Sequence, residues 1–208
     1  MAAPAETLAP MSVPDSPGSL LPGEIDVGLT VEEFLVLVES GTFGPDRRMF
    51  LWEGRVCEKM SKTLPHSVAA CQVLHALFGV LPKGWIVWSE GPVRIGPTSL
   101  PLPDLALLRG PARQYTKGRF PDYETVGLMI EVSVSSLSRD LGPRAVAFAR
   151  AGVVVYWVVD ALAGRVVEHR GPGPDGYATV RVLGAGDILT IPLDGVEVGP
   201  ILVEDLLP

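Results

Sequence analysis

The 208-residue sequence has few cysteines and few aromatic residues, and it lacks an apolar run of the ~18 residues that a membrane span requires. Its two cysteines, Cys57 and Cys71, fall in a predicted strand and a predicted helix, without metal-ligand or disulfide-framework spacing. They are expected to be buried free thiols. The start of the chain shows no charged region followed by a long apolar stretch, so a cytoplasmic location is expected.

The chain also lacks an excess of positive charge. It has 17 Lys and Arg residues against 24 Asp and Glu residues, which gives a formal net charge of −7. Proteins that bind nucleic acid broadly usually carry a basic footprint, so any contact with DNA must come from a local patch. With 47% hydrophobic residues, the chain has enough apolar side chains for one sizeable core.

Residues 1–28 are rich in Pro, Ala, Ser and Gly and are predicted to form a disordered tail, whereas residues 29–208 are expected to form a single domain. A capping box, with Thr30 as N-cap and Glu33 at N3, predicts a first helix ending near Gly41. The pair Glu53-Gly54 then predicts a tight hairpin turn within residues 49–60. In that hairpin, Trp52 pairs with Arg55 and Phe50 pairs with Cys57.

The rest of the domain mixes helical and strand patterns. Apolar periodicity predicts helices over residues 63–81 and 140–151. Strands are predicted over 85–89, 93–95, 102–108, 128–134 and 153–159, with antiparallel strands over 165–170 and 177–183. The strand-helix-strand connection around residues 140–151 predicts a parallel pair at the centre of the sheet, and hence an α/β fold.

Glu131 is a candidate functional residue because of the pattern around it. In its strand, four apolar residues share one face: Leu128, Ile130, Val132 and Val134. Met129, Glu131, Ser133 and Ser135 share the other face. The polar positions continue beyond the strand, which indicates a strand end that opens onto a cleft. A salt-bridged residue within the sheet is the alternative.

Asp104 is a second candidate carboxylate. It follows Pro103 and precedes the apolar run 105–108, although a Pro-Asp pair alone usually marks a turn. Carboxylates on adjacent strands are oxygen ligands of the kind that hard divalent cations such as magnesium prefer, and a metal-bound water is a ready nucleophile. Asp104 and Glu131 together therefore predict a metal site.

Several short motifs occur along the chain in a characteristic order. They are Pro103-Asp104, Glu131-Val132-Ser133, Arg139-Asp140-Leu141-Gly142, Ala149-Arg150-Ala151-Gly152-Val153 and Tyr156-Trp157-Val158-Val159-Asp160. From about residue 29 to the C-terminus, the chain resembles the Uma-type family of restriction endonucleases in the PD-(D/E)XK nuclease superfamily. The resemblance implies a restriction-endonuclease-like core, a mixed β-sheet flanked by helices, with an N-terminal helix and β-hairpin and C-terminal antiparallel strands.

The resemblance also implies roles for single residues. Asp104 and Glu131 would bind Mg²⁺, with Mn²⁺ as the alternative ion, and the main-chain carbonyl of Val132 would be a further ligand. The implied reaction is phosphodiester hydrolysis by a metal-activated water. His66 falls where the family has a histidine and is a candidate proton-handling group, although a histidine near a helix end is often only a local hydrogen-bonding residue.

Two positions depart from the family pattern. At the position of the superfamily lysine, this sequence has Ser133. Uma-type proteins carry the lysine on the following helix instead, and there this sequence has Arg144. An arginine stabilises charge on a phosphate but is excluded as a general base by its high pKa. Asp140 and Arg144 are equally compatible with an ordinary surface pair. Phe50 stands where relatives have a glutamate, so a one-metal or weakened site is expected.

The segment between residues 109 and 120 is the best candidate for a phosphate-facing patch. It contains four basic residues and no acidic one: Arg109, Arg113, Lys117 and Arg119. Its position directly after the Asp104 strand favours this interpretation. A solvated loop is the alternative, because loops are commonly polar for reasons unrelated to ligands.

The leading functional hypothesis is a magnesium-dependent DNA endonuclease with no membrane partner. The alternative is a catalytically weakened nuclease fold that acts as a DNA-binding or protein-interaction module, which Phe50, Arg144 and the acidic net charge favour. A third hypothesis is a structural role, since the apolar sheet and the antiparallel C-terminal strands are compatible with a homodimer. Fold alone does not decide among them.

Overall fold

A computed structural model describes residues 27–116 and 118–208, so the predicted tail up to residue 26 and Lys117 of the basic segment lie outside the described residues. Helix α1 (Val31–Glu39) begins at the predicted capping box. The Thr30 hydroxyl accepts a hydrogen bond from the Glu33 N–H at 3.2 Å, and Glu33 Oε2 accepts one from the Thr30 N–H at 2.8 Å. These bonds satisfy two of the donors that a helix start leaves free.

The predicted hairpin is confirmed as β1 (Met49–Trp52) and β2 (Arg55–Glu58), with the predicted register of Phe50 opposite Cys57 and Trp52 opposite Arg55. Its turn requires glycine, because Gly54 has φ +78° and a Cβ there would lie 2.6 Å from Gly28 Cα. Gly28 is therefore packed, one residue before the predicted start of the domain. Alternation along β1 sends Leu51 toward α1 and leaves Phe50 and Trp52 on the opposite face.

Helix α2 (Leu64–Val80) has its buried residues at a spacing of four, which forms one apolar stripe against the sheet: Ala69, Val73 and Leu77. Cys71 lies off this stripe and is exposed, and Cys57 is only half-buried. Both thiols are free as predicted, but the prediction that they are buried is wrong, because neither side chain points into the core.

A six-stranded mixed sheet forms the centre of the fold, and its strands lie in sequence order. They are β3 (Trp85–Ser89), β4 (Leu105–Arg109), β5 (Val126–Ser133), β6 (Val155–Asp160), β7 (Arg165–Gly173) and β8 (Gly176–Gly184). The pair β5 and β6 is parallel and the other neighbours are antiparallel, which confirms the predicted mixed sheet. The strand predicted over 93–95 is wrong, since its backbone bonds to three separate partners, Pro101, Pro121 and Ser99, rather than to one strand.

The crossover from β5 to β6 contains a distorted helix. It consists of α3 (Leu137–Arg139), a π-helical segment Asp140–Arg144 and α4 (Ala145–Arg150). Gly142 departs from helical geometry with φ −100° and ψ −106°, and Pro143 has no N–H to donate. The helix predicted over 140–151 is thus confirmed in place, but it starts three residues earlier and carries a bulge of the type often found at functional sites.

Both faces of the sheet are covered. One face packs against α2 and the hairpin of β9 (Ile188–Leu193) and β10 (Val196–Leu202), two strands that the sequence patterns did not predict. The other face packs against α4, whose Phe148 contacts Tyr156 of β6 and Trp52 of β1. Among the described residues, no helix combines the length and apolar character needed to cross a bilayer.

Candidate active site

A cleft of about 280 Å³ opens where β5 ends and β4 begins. The carboxylates of Asp104 and Glu131, each in a residue only 3% exposed, both line it. His66 at the start of α2 and Arg144 at the end of the π-helical segment line it as well. The four predicted catalytic residues therefore meet in one place, because antiparallel pairing brings the start of β4 beside the end of β5.

Asp104 is held by several donors. Its Oδ2 accepts hydrogen bonds from the Val132 N–H and from His66 Nε2, each at 2.9 Å. Burial would raise the pKa of Asp104, but the His66 hydrogen bond and the Lys59 charge outweigh burial and hold this pKa well below its usual range. Asp104 is therefore an ionised carboxylate at neutral pH.

His66 is oriented by the same contact. Because an ionised carboxylate only accepts hydrogen bonds, His66 Nε2 carries a hydrogen and donates it to Asp104. Nδ1 is buried and has no hydrogen-bond partner among residues 27–116 and 118–208. The ring is thus oriented by Asp104 alone within the described residues.

Two lysines in the cleft were missed by sequence reasoning. Lys59 Nζ lies 2.9 Å from Asp104 Oδ1 and donates to the Leu102 carbonyl at 2.5 Å. Lys62 Nζ lies 3.5 Å from the same Asp104 oxygen, and burial lowers the pKa of Lys62. Their only sequence signal was their position in the link between β2 and the helix that carries His66. This loop has no apolar periodicity from which the orientation of its side chains could be predicted.

Glu90 supports the second of these lysines. Its carboxylate pairs with Lys62 and with Arg48, the latter at 2.9 Å, while its N–H donates to the Asp104 carbonyl at 3.1 Å. Glu90 has φ +56°, a left-handed conformation that is uncommon for residues other than glycine. The local backbone is therefore arranged so that one residue fixes both Asp104 and Lys62.

Arg144 joins two buried carboxylates. Its Nη1 donates to Glu131 Oε1 at 2.7 Å and to Asp140 Oδ1 at 3.3 Å, and its guanidinium lies 5.3 Å from the centre of the Trp52 ring. Asp140 is 1% exposed and also accepts a hydrogen bond from Ser133 at 2.6 Å. The pairing of Asp140 with Arg144 is confirmed, but the surface location is wrong, because the π-helical segment turns both side chains inward.

The charge balance of the cleft differs from that of the chain. Burial raises the pKa of Glu131, and the positive charge of Arg144 opposes this effect. Of the described side chains that line the cleft, four are cationic and three are acidic: Lys59, Lys62, Arg139 and Arg144 lie beside Glu58, Asp104 and Glu131. An acidic protein with net charge −7 therefore concentrates cationic groups in this cleft.

Phe50, which stands where relatives were expected to have a glutamate, lines the cleft. It provides no acidic ligand there. Glu58 lies on the other face of the hairpin, as predicted from its pairing with Met49, yet it reaches the cleft because it ends β2. Within the described residues, no group of three or more His, Cys, Asp and Glu side chains is arranged to hold a metal ion. Asp104 and Glu131 are thus the two acidic donors available at the floor of the cleft.

The basic segment has no residue among 109–116 and 118–120 that lines this cleft. Strand β4 begins beside Asp104 and ends at Arg109, so its five residues, at about 3.3 Å each, carry the chain to the other end of the sheet. Arg109 pairs there with Asp194 and lies 4.9 Å over the Trp85 ring, while Arg113 and Arg119 are exposed in the following loop. The contact of these residues with phosphate stays a prediction, at a distance from Asp104 that the direction of β4 explains.

Comparison with known proteins agrees with this architecture. A crystal structure at 1.96 Å resolution of a putative nuclease belonging to DUF820 from Anabaena variabilis ATCC 29413 is similar, with a TM-score of 0.63. The alignment covers 86% of this chain and 97% of that chain at 16% identity, which shows a shared fold. No curated protein matches the sequence significantly. The model of the Uma2 family, described as "Putative restriction endonuclease", matches residues 31–199, and the chain therefore belongs to that family.

Proposed function

We propose that the protein is a magnesium-dependent DNA endonuclease that hydrolyses phosphodiester bonds, with manganese as the alternative ion. The observation that carries the proposal is the convergence of Asp104 and Glu131 with Lys59 and Arg144 in one cleft. Carboxylates beside cationic side chains are what a metal ion and a phosphate need in the same place. Membership of a nuclease family and the nuclease-like fold support the same reaction class.

The donor set fits magnesium. Proteins often hold this ion with one or two carboxylates, and water and substrate phosphate complete its shell. Asp104 and Glu131 supply such oxygens, and the main-chain carbonyl of Val132 is the further ligand that we propose. Phe50 contributes no ligand, which favours one ion over two. When bound, the ion supplies an activated water and polarises the phosphate.

The remaining side chains then have separate tasks. Lys59 and Lys62 lie close enough to Asp104 to neutralise charge on a phosphate placed against it. Arg144 is fixed by Asp140 and Trp52, so its planar donor set is oriented before substrate arrives. His66 contacts Asp104 through Nε2 and so orients this carboxylate, with proton handling as its further proposed task.

Cleavage assays test this function. Purified protein is incubated with supercoiled, linear duplex and single-stranded DNA in Mg²⁺, Mn²⁺ or chelator. Asp104→Asn and Glu131→Gln are expected to abolish metal-dependent cleavage, because each removes a ligand charge with little change in shape. Glu168→Gln is the matched control, since Glu168 is also buried and paired with an arginine but does not line the cleft. Equal cleavage by all variants, or none by the wild type, would contradict the proposal.

A second candidate is a nuclease fold that binds DNA or protein without efficient catalysis. It is favoured by the ion pairs within the cleft, because Asp104 is engaged by Lys59 and His66, and Glu131 by Arg144. Calorimetry with MnCl₂ separates the two candidates. Binding that Asp104→Asn abolishes supports the enzyme, whereas oligonucleotide binding without metal binding or turnover supports the module.

A further inference from the structure

Beside the cleft lies a smaller recess of about 150 Å³, which we call the annex. One wall is the inner face of the β1–β2 hairpin, with Phe50, Trp52 and Cys57, and the other is the π-helical bulge with Pro143. Four residues line both the annex and the cleft: Phe50, Glu58, Arg139 and Arg144. The annex therefore adjoins the site that carries Asp104 and Glu131.

The annex and the cleft differ in chemistry. The cleft presents mainly ammonium, guanidinium and carboxylate groups. The annex shares Glu58, Arg139 and Arg144 with it and adds the apolar surfaces of Trp52 and Pro143 to that of Phe50. Arg139 lines both cavities with a side chain that is 60% exposed. A ligand that spans the two cavities must combine an anionic part with a flat apolar part next to it. A nucleotide has this composition.

The size of the two cavities agrees with this ligand class. With volumes of about 280 and 150 Å³, the cleft and the annex together reach the ~300–1,000 Å³ range of small-ligand sites. A stacked and paired base cannot leave its duplex without loss of stacking and pairing, whereas a base in a single strand has no pairing to lose. The annex therefore fits one unpaired base whose phosphate lies in the cleft.

We propose that the annex binds an unpaired nucleobase next to the scissile phosphate, so that the preferred substrate is single-stranded or locally unpaired DNA. This inference rests on the proposed nuclease function and adds to it the form of the substrate. Phe50 then has a function of its own. Its ring provides no metal ligand, but it forms the aromatic floor of the annex. The bulge at Gly142 and Pro143 shapes the opposite wall.

Binding in chelator tests the inference without any need for cleavage. Fluorescence anisotropy is measured for a labelled strand, for the same strand in a perfect duplex, and for strands with one abasic site at successive positions. Stacking on aromatic side chains predicts roughly tenfold tighter binding of the single strand than of the duplex. It also predicts one abasic position at which binding weakens by about the same factor. These measurements use the wild-type protein, so they do not depend on the folding of a variant.

A matched pair of substitutions locates the effect. Phe50→Leu keeps apolar bulk but removes the ring and should abolish both the single-strand preference and the abasic effect. Phe34→Leu makes the same change at a buried phenylalanine of α1 outside both cavities and should keep them. Equal affinity for strand and duplex, uniform tolerance of abasic sites, unchanged discrimination in Phe50→Leu or absence of any oligonucleotide binding would overturn the inference. Cleavage by the wild type that Asp104→Asn abolishes would leave the nuclease proposal standing in each case.

Discussion

Arg144 shares one buried positive charge between two buried carboxylates, Glu131 and Asp140. Such a group is stable only while it is complete, because the removal of one partner leaves a charge without compensation in a poorly solvated place. The face of the Trp52 ring also contacts the Arg144 guanidinium. The same guanidinium thus supports both the packing of the π-helical segment and the electrostatics of the cleft.

Arg144→Ala is expected to lower the free energy of unfolding by about 3 kcal/mol, because it leaves Glu131 and Asp140 unpaired. Urea unfolding at pH 7 measures the change. Addition of Glu131→Gln to this variant should restore part of the loss, since the second substitution removes one of the unpaired acids. Arg113→Ala, at an exposed arginine, should change stability by less than about 0.5 kcal/mol. Additive effects of the two cleft substitutions would contradict the coupling.

His169 predicts a pH dependence of stability. It is 4% exposed and its ring contacts those of Tyr156 and Tyr177, and burial lowers its pKa below 6.5. As pH falls through 6.5, the unfolded chain takes up a proton that the folded protein resists, so His169 stabilises the fold above this pH and ceases to do so below it. His169→Phe should therefore lose less stability than the wild type between pH 7 and 5 in urea unfolding. Parallel pH profiles of the two proteins would count against this assignment.

At the scale of the element, the two longer helices start differently. Thr30 caps α1 through its hydroxyl, whereas Thr63 at the same position of α2 makes no side-chain cap hydrogen bond. Thr30→Ala should therefore lower the free energy of unfolding by about 1 kcal/mol, and Thr63→Ala should have a much smaller effect. Thermal unfolding of both variants beside the wild type checks this difference. Equal losses would show that the capping bond of α1 contributes nothing measurable.

The elements that sequence predicted well are those with a local cause. The cap of α1 and the hairpin turn at Glu53-Gly54 depend on residues that are neighbours in the chain, and both have the predicted geometry. Strands β9 and β10 were not predicted, and residues 93–95 were given a strand that does not exist. Those segments take their conformation from distant partners, which a local pattern does not record.

The candidate site divides in the same way. Alternation and motif spacing placed Asp104 and Glu131 at strand ends and placed Arg144 on the next helix, and these residues do meet. Lys59 and Lys62 were missed, since they approach Asp104 from a loop whose path depends on tertiary packing. For the basic segment, charge composition did not indicate at which end of the sheet it lies.

At the scale of the whole molecule, charge predicts how DNA binding should respond to salt. The net charge is −7, and only four cationic side chains line the cleft. Each phosphate neutralised contributes about −0.7 to −0.9 to the slope of log K against log salt, so the slope should be no steeper than about −4. Anisotropy titrations over a range of NaCl concentrations measure it. A slope well beyond this value would reveal a wider DNA-binding surface, such as the loop with Arg113 and Arg119.

Lys59 and Arg144 pair with Asp104 and Glu131, so the two carboxylates already have cationic partners before any metal ion binds. Because internal cations already balance the acids of the cleft, chelation should move the melting temperature by less than about 2 °C, a shift that corresponds to under ~1 kcal/mol. Differential scanning fluorimetry with and without EDTA measures this shift, and a large fall on chelation would contradict it. A divalent ion must then displace an ammonium or guanidinium group to enter. Occupancy, and with it any nuclease activity, should follow the concentration of free metal closely.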